Sequence, residues 1–150
     1  MAGWRQDLSE RGFGLLEVAI VVALLGIALG LSAPTYGSLM AKLRLDDAVR
    51  QLVTDLRATQ QAAMAQTTTH RVQFFAGRYV VERDSGAGNF AAIKQVDLPR
   101  RIVIVTPPAP VMFVGSGAAT GQTIRLRNTV NTERHVLVTS GTGRVRVAIP

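Results

Sequence analysis

The distribution of apolar residues along the chain is uneven. Met1 to Gly12 is a polar leader in which Arg5 and Arg11 face Asp7 and Glu10. From Phe13 to Ala33 the sequence reads FGLLEVAIVVALLGIALGLSA, with Glu17 as its single ionisable side chain. As a helix this stretch is about 30 Å long, close to the thickness of a bilayer's hydrocarbon core. Beyond Pro34 the pattern becomes amphipathic: Leu45, Val49, Leu52, Val53, Leu56 and Ala63 recur at helical spacing, with Asp46, Arg50, Asp55 and Arg57 mostly on other faces. The spacing predicts a helix continuing to about Gln66, with Asp46 and Arg50 as an exposed pair four residues apart. Thr67-Thr68-Thr69, polar and β-branched, ends it.

From His70 the pattern switches to short β-branched and aromatic runs separated by Gly and Pro. His70 to Phe75 and Arg78 to Arg83, joined by Ala76-Gly77, read as a hairpin with a two-residue turn. Arg101 to Val105, Val111 to Val114, Thr123 to Leu126, Val136 to Thr139 and Arg144 to Ile149 read as further strands. Pro107, Pro108 and Pro110 mark a loop or an edge. Ser85-Gly86-Ala87-Gly88 and Gly115-Ser116-Gly117 read as loops. The expected fold is α+β: a long N-terminal helix, membrane-spanning and then amphipathic, packed on a small antiparallel β-sheet head. The expected divisions are a leader at 1–12, a transmembrane or filament-core helix at 13–34, an amphipathic extension at 35–66 and a β-rich head at 67–150.

Composition narrows the chemistry. At 150 residues there is room for one head domain with a modest core. A net charge of +7 and a pI near 11.2 make an acidic partner, nucleic acid or an anionic surface, worth considering. With no cysteine, disulfides, thiolate metal sites and cysteine nucleophiles are excluded. His70 and His135 are the only histidines and lack metal-ligand spacing, so both read as surface or strand residues. No nucleophile elbow, phosphate loop or CxxC pair is present. The chain is therefore read as a non-enzyme with no metal and no cofactor.

The small residues Ala28-Leu29-Gly30 could serve a secretory signal peptide, but the leader is almost charge-balanced and a signal core has no need of a carboxylate. Glu17 is the residue to explain, because an acid at mid-span costs roughly 2.5 to 3.5 kcal/mol on insertion scales. Cleavage between Gly12 and Phe13 would create an α-amino group able to pair with Glu17 of a neighbouring copy. Gly12-Phe13-Gly14-Leu15-Leu16-Glu17 resembles the signature of type IV pilins and pseudopilins: Gly, then Phe, then a glutamate at the fifth residue after the cut, then an apolar helix. The resemblance implies a prepilin peptidase that cuts after Gly12 and methylates the new amino terminus on Phe13. It also implies subunit assembly through Glu17 and Pro34, proline being common at that point of such helices.

Near the other end, alternation puts Val145, Val147 and Ile149 on one strand face and Arg144 and Arg146 on the other. Arg125 and Arg127 flank Leu126 in the same way, and Glu133 is the one acid between Gly121 and Pro150. This is a candidate anion site. The run Ser140-Gly141-Thr142-Gly143-Arg144-Val145-Arg146 resembles the carboxyl end of the minor pseudopilin H and fimbrial-protein T family, as does Phe113 to Asn128. In some fimbrial-protein T members a Gly-Arg-x-Arg element contributes to DNA binding, which carries over onto Gly143, Arg144 and Arg146. The alternative for these arginines is an ordinary solvated strand face.

The resemblance implies a minor pseudopilin of a type II secretion system, processed after Gly12, single-pass in the inner membrane with its head in the periplasm, and assembled into a pseudopilus. The partners so implied are other pseudopilin or pilin subunits, the prepilin peptidase and the inner membrane. Two alternatives stand beside it. One is a type IV pilus minor pilin of the fimbrial-protein T kind that binds DNA during uptake; the other is a membrane-anchored periplasmic binding domain with no filament role.

Overall fold

The computed structural model describes residues 14–149, without the side chains of residues 31–35. Gly12 and Phe13 lie outside the described residues. Among the described residues a single α-helix, α1 (Leu15–Gln66), precedes eight strands. These are β1 (His70–Phe75), β2 (Arg78–Gly86), β3 (Asn89–Asp97), β4 (Ile102–Ile104), β5 (Val111–Phe113), β6 (Gln122–Asn128), β7 (Glu133–Val138) and β8 (Val145–Ala148). The chain divides into two compact units, Met1–Gly37 and Ser38–Pro150.

The head is built on two sheets where one was expected. Both are antiparallel and four-stranded, in the orders β3-β2-β1-β5 and β4-β6-β7-β8. The chain moves from the first sheet to the second at β4 and returns at β5. Pro107, Pro108 and Pro110 lie in the return, where no ladder amide is needed. The expected first hairpin is present, with Phe75 opposite Arg78 across Ala76-Gly77. Ser85-Gly86-Ala87-Gly88 is a second hairpin rather than a plain loop. β2 runs through Gly86, and Ala87 and Gly88 turn with φ of +55° and +76°, both left-handed as a type I′ turn requires.

Leu45, Ala48, Val49, Leu52, Val53, Leu56 and Ala63 of α1 are buried in one cluster with both sheets. Val72, Phe74, Tyr79, Val81, Val111 and Phe113 come from the first sheet. Ile102, Ile104, Ile124, Leu126, Val136, Val138 and Val145 come from the second. Side chains repeating at three and four residues form one helix stripe, and alternate strand residues form the two surfaces it covers. α1 stops where expected. The N–H of Thr68 reaches Ala63 O at 3.1 Å and that of Thr67 reaches Met64 O at 3.3 Å, a Schellman cap with Thr67 at φ +49°.

Two expectations about α1 need correction. Asp46 does not depend on Arg50: its Oδ1 accepts from Arg134 Nε of β7 at 2.9 Å, tying helix to sheet. Asp55 is not on a solvated face but buried at 6% exposure. The apolar face of β8 is also less covered than the alternation implied. Val145 is buried, whereas Val147 and Ile149 are 49% and 74% exposed, because β8 is an edge strand.

Candidate functional site

Glu17 lies in the first turn of α1 and is exposed. A carboxylate there faces the positive end of the helix dipole. Around and beyond it Leu15, Leu16, Val18, Ile20, Val21, Val22, Leu24, Leu25, Ile27 and Leu29 are all at least 48% exposed. A helix apolar on every side needs lipid or other protein around it. Among the described residues no helix is long and apolar enough to cross a membrane. The span read from the sequence begins at Phe13, outside them. Pro34 lies within α1 without interrupting it.

In the head, Asp55 organises the contact between α1 and the first sheet. Its Oδ2 accepts from Tyr79 O–H at 2.6 Å and Gln51 Nε2 at 3.2 Å, and its Oδ1 accepts from Lys94 Nζ at 2.7 Å. Burial alone would raise the Asp55 pKa, but the hydrogen bonds from Lys94, Tyr79 and Gln51 and the Lys94 charge together hold it below its ordinary value. Burial, and then the adjacent carboxylate, push the Tyr79 phenol up, so it remains a donor. This cluster is structural: it fixes edge strand β3 to the helix. His70 is fully buried on β1. Its Nδ1–H donates to Thr68 O at 3.0 Å, and Nε2 has no partner.

A second polar junction joins α1 to the C-terminal turn. Gln60 Nε2 donates to Gly117 O at 2.7 Å and to Thr142 O at 3.1 Å. Gly143, at φ +63°, lies so close that a Cβ would come within 2.4 Å of Gln60 Nε2 and 2.8 Å of Gly117 O. Glycine at 143 is therefore explained by packing of the turn against α1. The effect is to bring Arg144 beside Arg57, and the two line one open cleft with Gln60, Gln61, Met64 and Val145.

The other arginines are distributed differently. Arg125 and Arg127 project from β6 on the side opposite buried Ile124, Leu126 and Asn128. Arg127 Nη1 is 4.0 Å from Glu133, which stands opposite it in register and also takes His135 Nε2 at 3.4 Å. Arg146 lies opposite Leu137, and Leu137 opposite Thr123, so a row of neutral residues separates Arg146 from Arg125. Arg134 is committed to Asp46. The basic residues thus divide between a strand face and a helix-bounded cleft. Arg57, which sequence reasoning placed among solvated positions, is the addition; only the tertiary fold brings it to Arg144, far along the chain.

The family model described as type II transport protein GspH matches residues 48–143, well over half of the chain. The structure is similar to that of the minor pseudopilin EpsH from the type 2 secretion system of Vibrio cholerae. The TM-score is 0.61 at 14% identity, covering 71% of this chain and 98% of that one. It is also similar to the type IV minor pilin FimU of Pseudomonas aeruginosa, with TM-score 0.56 at 16% identity, covering 69% of this chain and 92% of that one. No curated protein matches the sequence. Helix stripe, paired sheets and family match agree: this chain belongs to the family of type II transport protein GspH, and its fold is that of these minor pseudopilin and minor pilin structures.

Proposed function

We propose that the chain is a structural subunit of a type II secretion pseudopilus, trimmed after Gly12 by a prepilin peptidase and methylated on Phe13. The observation that carries this reading is the N-terminal part of α1, whose large apolar side chains are exposed on every side around a single acid, Glu17. In this reading the helix rests in the inner membrane with the head in the periplasm, then passes into a filament core with its burial preserved. The new amino group on Phe13 and Glu17 of an adjoining subunit set the register, the pair relieving the cost of a carboxylate in apolar surroundings. Pro34 supplies a point with one fewer helix hydrogen bond, where the helix can adjust on assembly. Mass spectrometry of the chain expressed with an active prepilin peptidase tests the processing. The expected product begins at N-methylated Phe13, and a product retaining Met1–Gly12 contradicts it.

A second reading, a type IV pilus minor pilin that contacts DNA, is favoured by the likeness to FimU together with the arginines that make no ion pair. With Arg134 held by Asp46 and Arg127 facing Glu133, Arg125, Arg144 and Arg146 remain for phosphates. If these three and neighbouring Arg57 are the phosphate contacts, duplex DNA binding shows a slope of log K against log salt of about −3.6. A slope near zero, or binding unchanged in Arg144→Gln with Arg146→Gln, excludes it. A membrane-anchored binding domain with no filament role is the remaining alternative, and it requires Glu17→Val to be harmless.

A further inference from the structure

We propose that the cleft between Arg57 and Arg144 is a seat for a carboxylate side chain of a neighbouring filament subunit. The inference rests on the subunit reading above and adds to it a contact in the head. Arg57 comes from α1 and Arg144 from the turn before β8, and no acidic residue is among the side chains lining their cleft. Arg57 Nη2 makes one long contact, 3.5 Å to Val145 O, which leaves most of the guanidinium's five donors unspent. Among the described residues neither arginine is in an ion pair, whereas Arg71, Lys94, Arg127 and Arg134 each face an acid of the same head. Two guanidiniums on one cleft without a counter-ion repel each other, and a carboxylate placed between them removes that repulsion and gains forked hydrogen bonds.

The cleft is held in shape before any partner arrives. Gln60 spends both amide hydrogens on Gly117 O and Thr142 O, and Gly143 fits only because it has no side chain. The backbone that carries Arg144 is thereby held against the helix, which lowers the ordering cost of binding. The surroundings favour a protein acid over a phosphodiester. Met64 is 43% exposed at the cleft, and Val147 and Ile149 continue from Val145 along the same face of β8, uncovered. A cationic centre edged by Gln60, Gln61 and apolar Met64, with bare Val147 and Ile149 further along β8, matches an Asp or Glu beside apolar residues. Nucleic acid would meet polar and basic flanks instead.

The test uses the full chain in detergent micelles. The probes are a fluorescein-labelled peptide with two adjacent glutamates between leucines, the same peptide with glutamines, and a short duplex DNA. The glutamate peptide binds, and the glutamine peptide binds at least about tenfold more weakly. Arg57→Gln and Arg144→Gln each weaken glutamate-peptide binding about tenfold, and Arg125→Gln leaves it unchanged. Gln61→Glu, an exposed helix position that carries its own acid into the cleft and spares the fold, gives a comparable loss. Equal affinity for the two peptides, an equal loss in Arg125→Gln, no loss in Gln61→Glu, or displacement of the peptide by DNA at lower concentration overturns the proposal. Any of these results with normal trimming at Gly12 and normal filament incorporation removes the seat and leaves the subunit reading intact.

Discussion

Asp55 shows how one polar residue can act as a fastener inside an apolar contact. Three donors surround it, so removing the carboxylate strands the buried Tyr79 hydroxyl and leaves the exposed Lys94 ammonium without its acid; Asp55→Ala is expected to cost about 3 kcal/mol. Its pKa in the folded head lies below its ordinary value of 3.8, so the unfolded chain binds the proton more readily. The stabilisation is therefore complete above the ordinary value and lost as pH falls through the folded one. Urea midpoints should hold steady from neutral pH to about 5 and then fall, and Asp55→Asn should show a flatter acid limb. An identical acid limb in wild type and variant would show that Asp55 does not contribute it. Periodicity gives no sign of this role. Asp55 is flanked by Leu52, Val53 and Leu56 and differs from an exposed acid only through Tyr79 and Lys94, which are 24 and 39 residues away.

Among the elements, those with strong local signals were legible and those set by distant pairing were not. The β1–β2 hairpin is written in an alternating run, a two-residue turn and a second alternating run. The end of α1 is written in three threonines. β3 carries no such signal: Asn89–Asp97 is mostly exposed, includes Ala91-Ala92 in its middle and lies at a sheet edge. Its attachment comes from Lys94 reaching Asp55, from partly buried Val96, and from Phe90, whose ring lies 4.0 Å beneath the Arg71 guanidinium. Arg71 is also paired with Glu82 directly opposite on β2, so β1, β2 and β3, three of that sheet's four strands, are linked across their outer face. In Lys94→Met, hydrogen exchange of the amides of residues 89–97 should accelerate several-fold while those of β6 and β7 do not change. Uniform acceleration throughout the head would mean that Lys94 supports the whole core and not this strand. The division into two sheets was similarly hidden, since β1 with β5 and β4 with β6 pair across intervening strands.

The whole molecule joins an exposed apolar helix to a head with a buried core and polar contacts at its seams. The head's packing is satisfied within the chain, as the shared core of α1 and both sheets shows. The apolar residues from Leu15 to Leu29 have no such cover, and the family to which the chain belongs is that of type II transport protein GspH. Of the candidate residues, the Gly12-Phe13-Glu17 motif is strictly local in sequence, and Gly12 and Phe13 lie outside the described residues. The arginines were readable as a charge excess but not as a geometry, because Arg144 is directed toward Arg57 by the contact between Gly143 and Gln60. Glu17 tests the account most directly. In cells producing the other pseudopilins and the peptidase, Glu17→Val should be trimmed to begin at Phe13 yet be missing from sheared, purified filaments that contain the wild-type chain. Incorporation of the trimmed variant at the wild-type level would contradict the claim that this acid sets the contact between subunits.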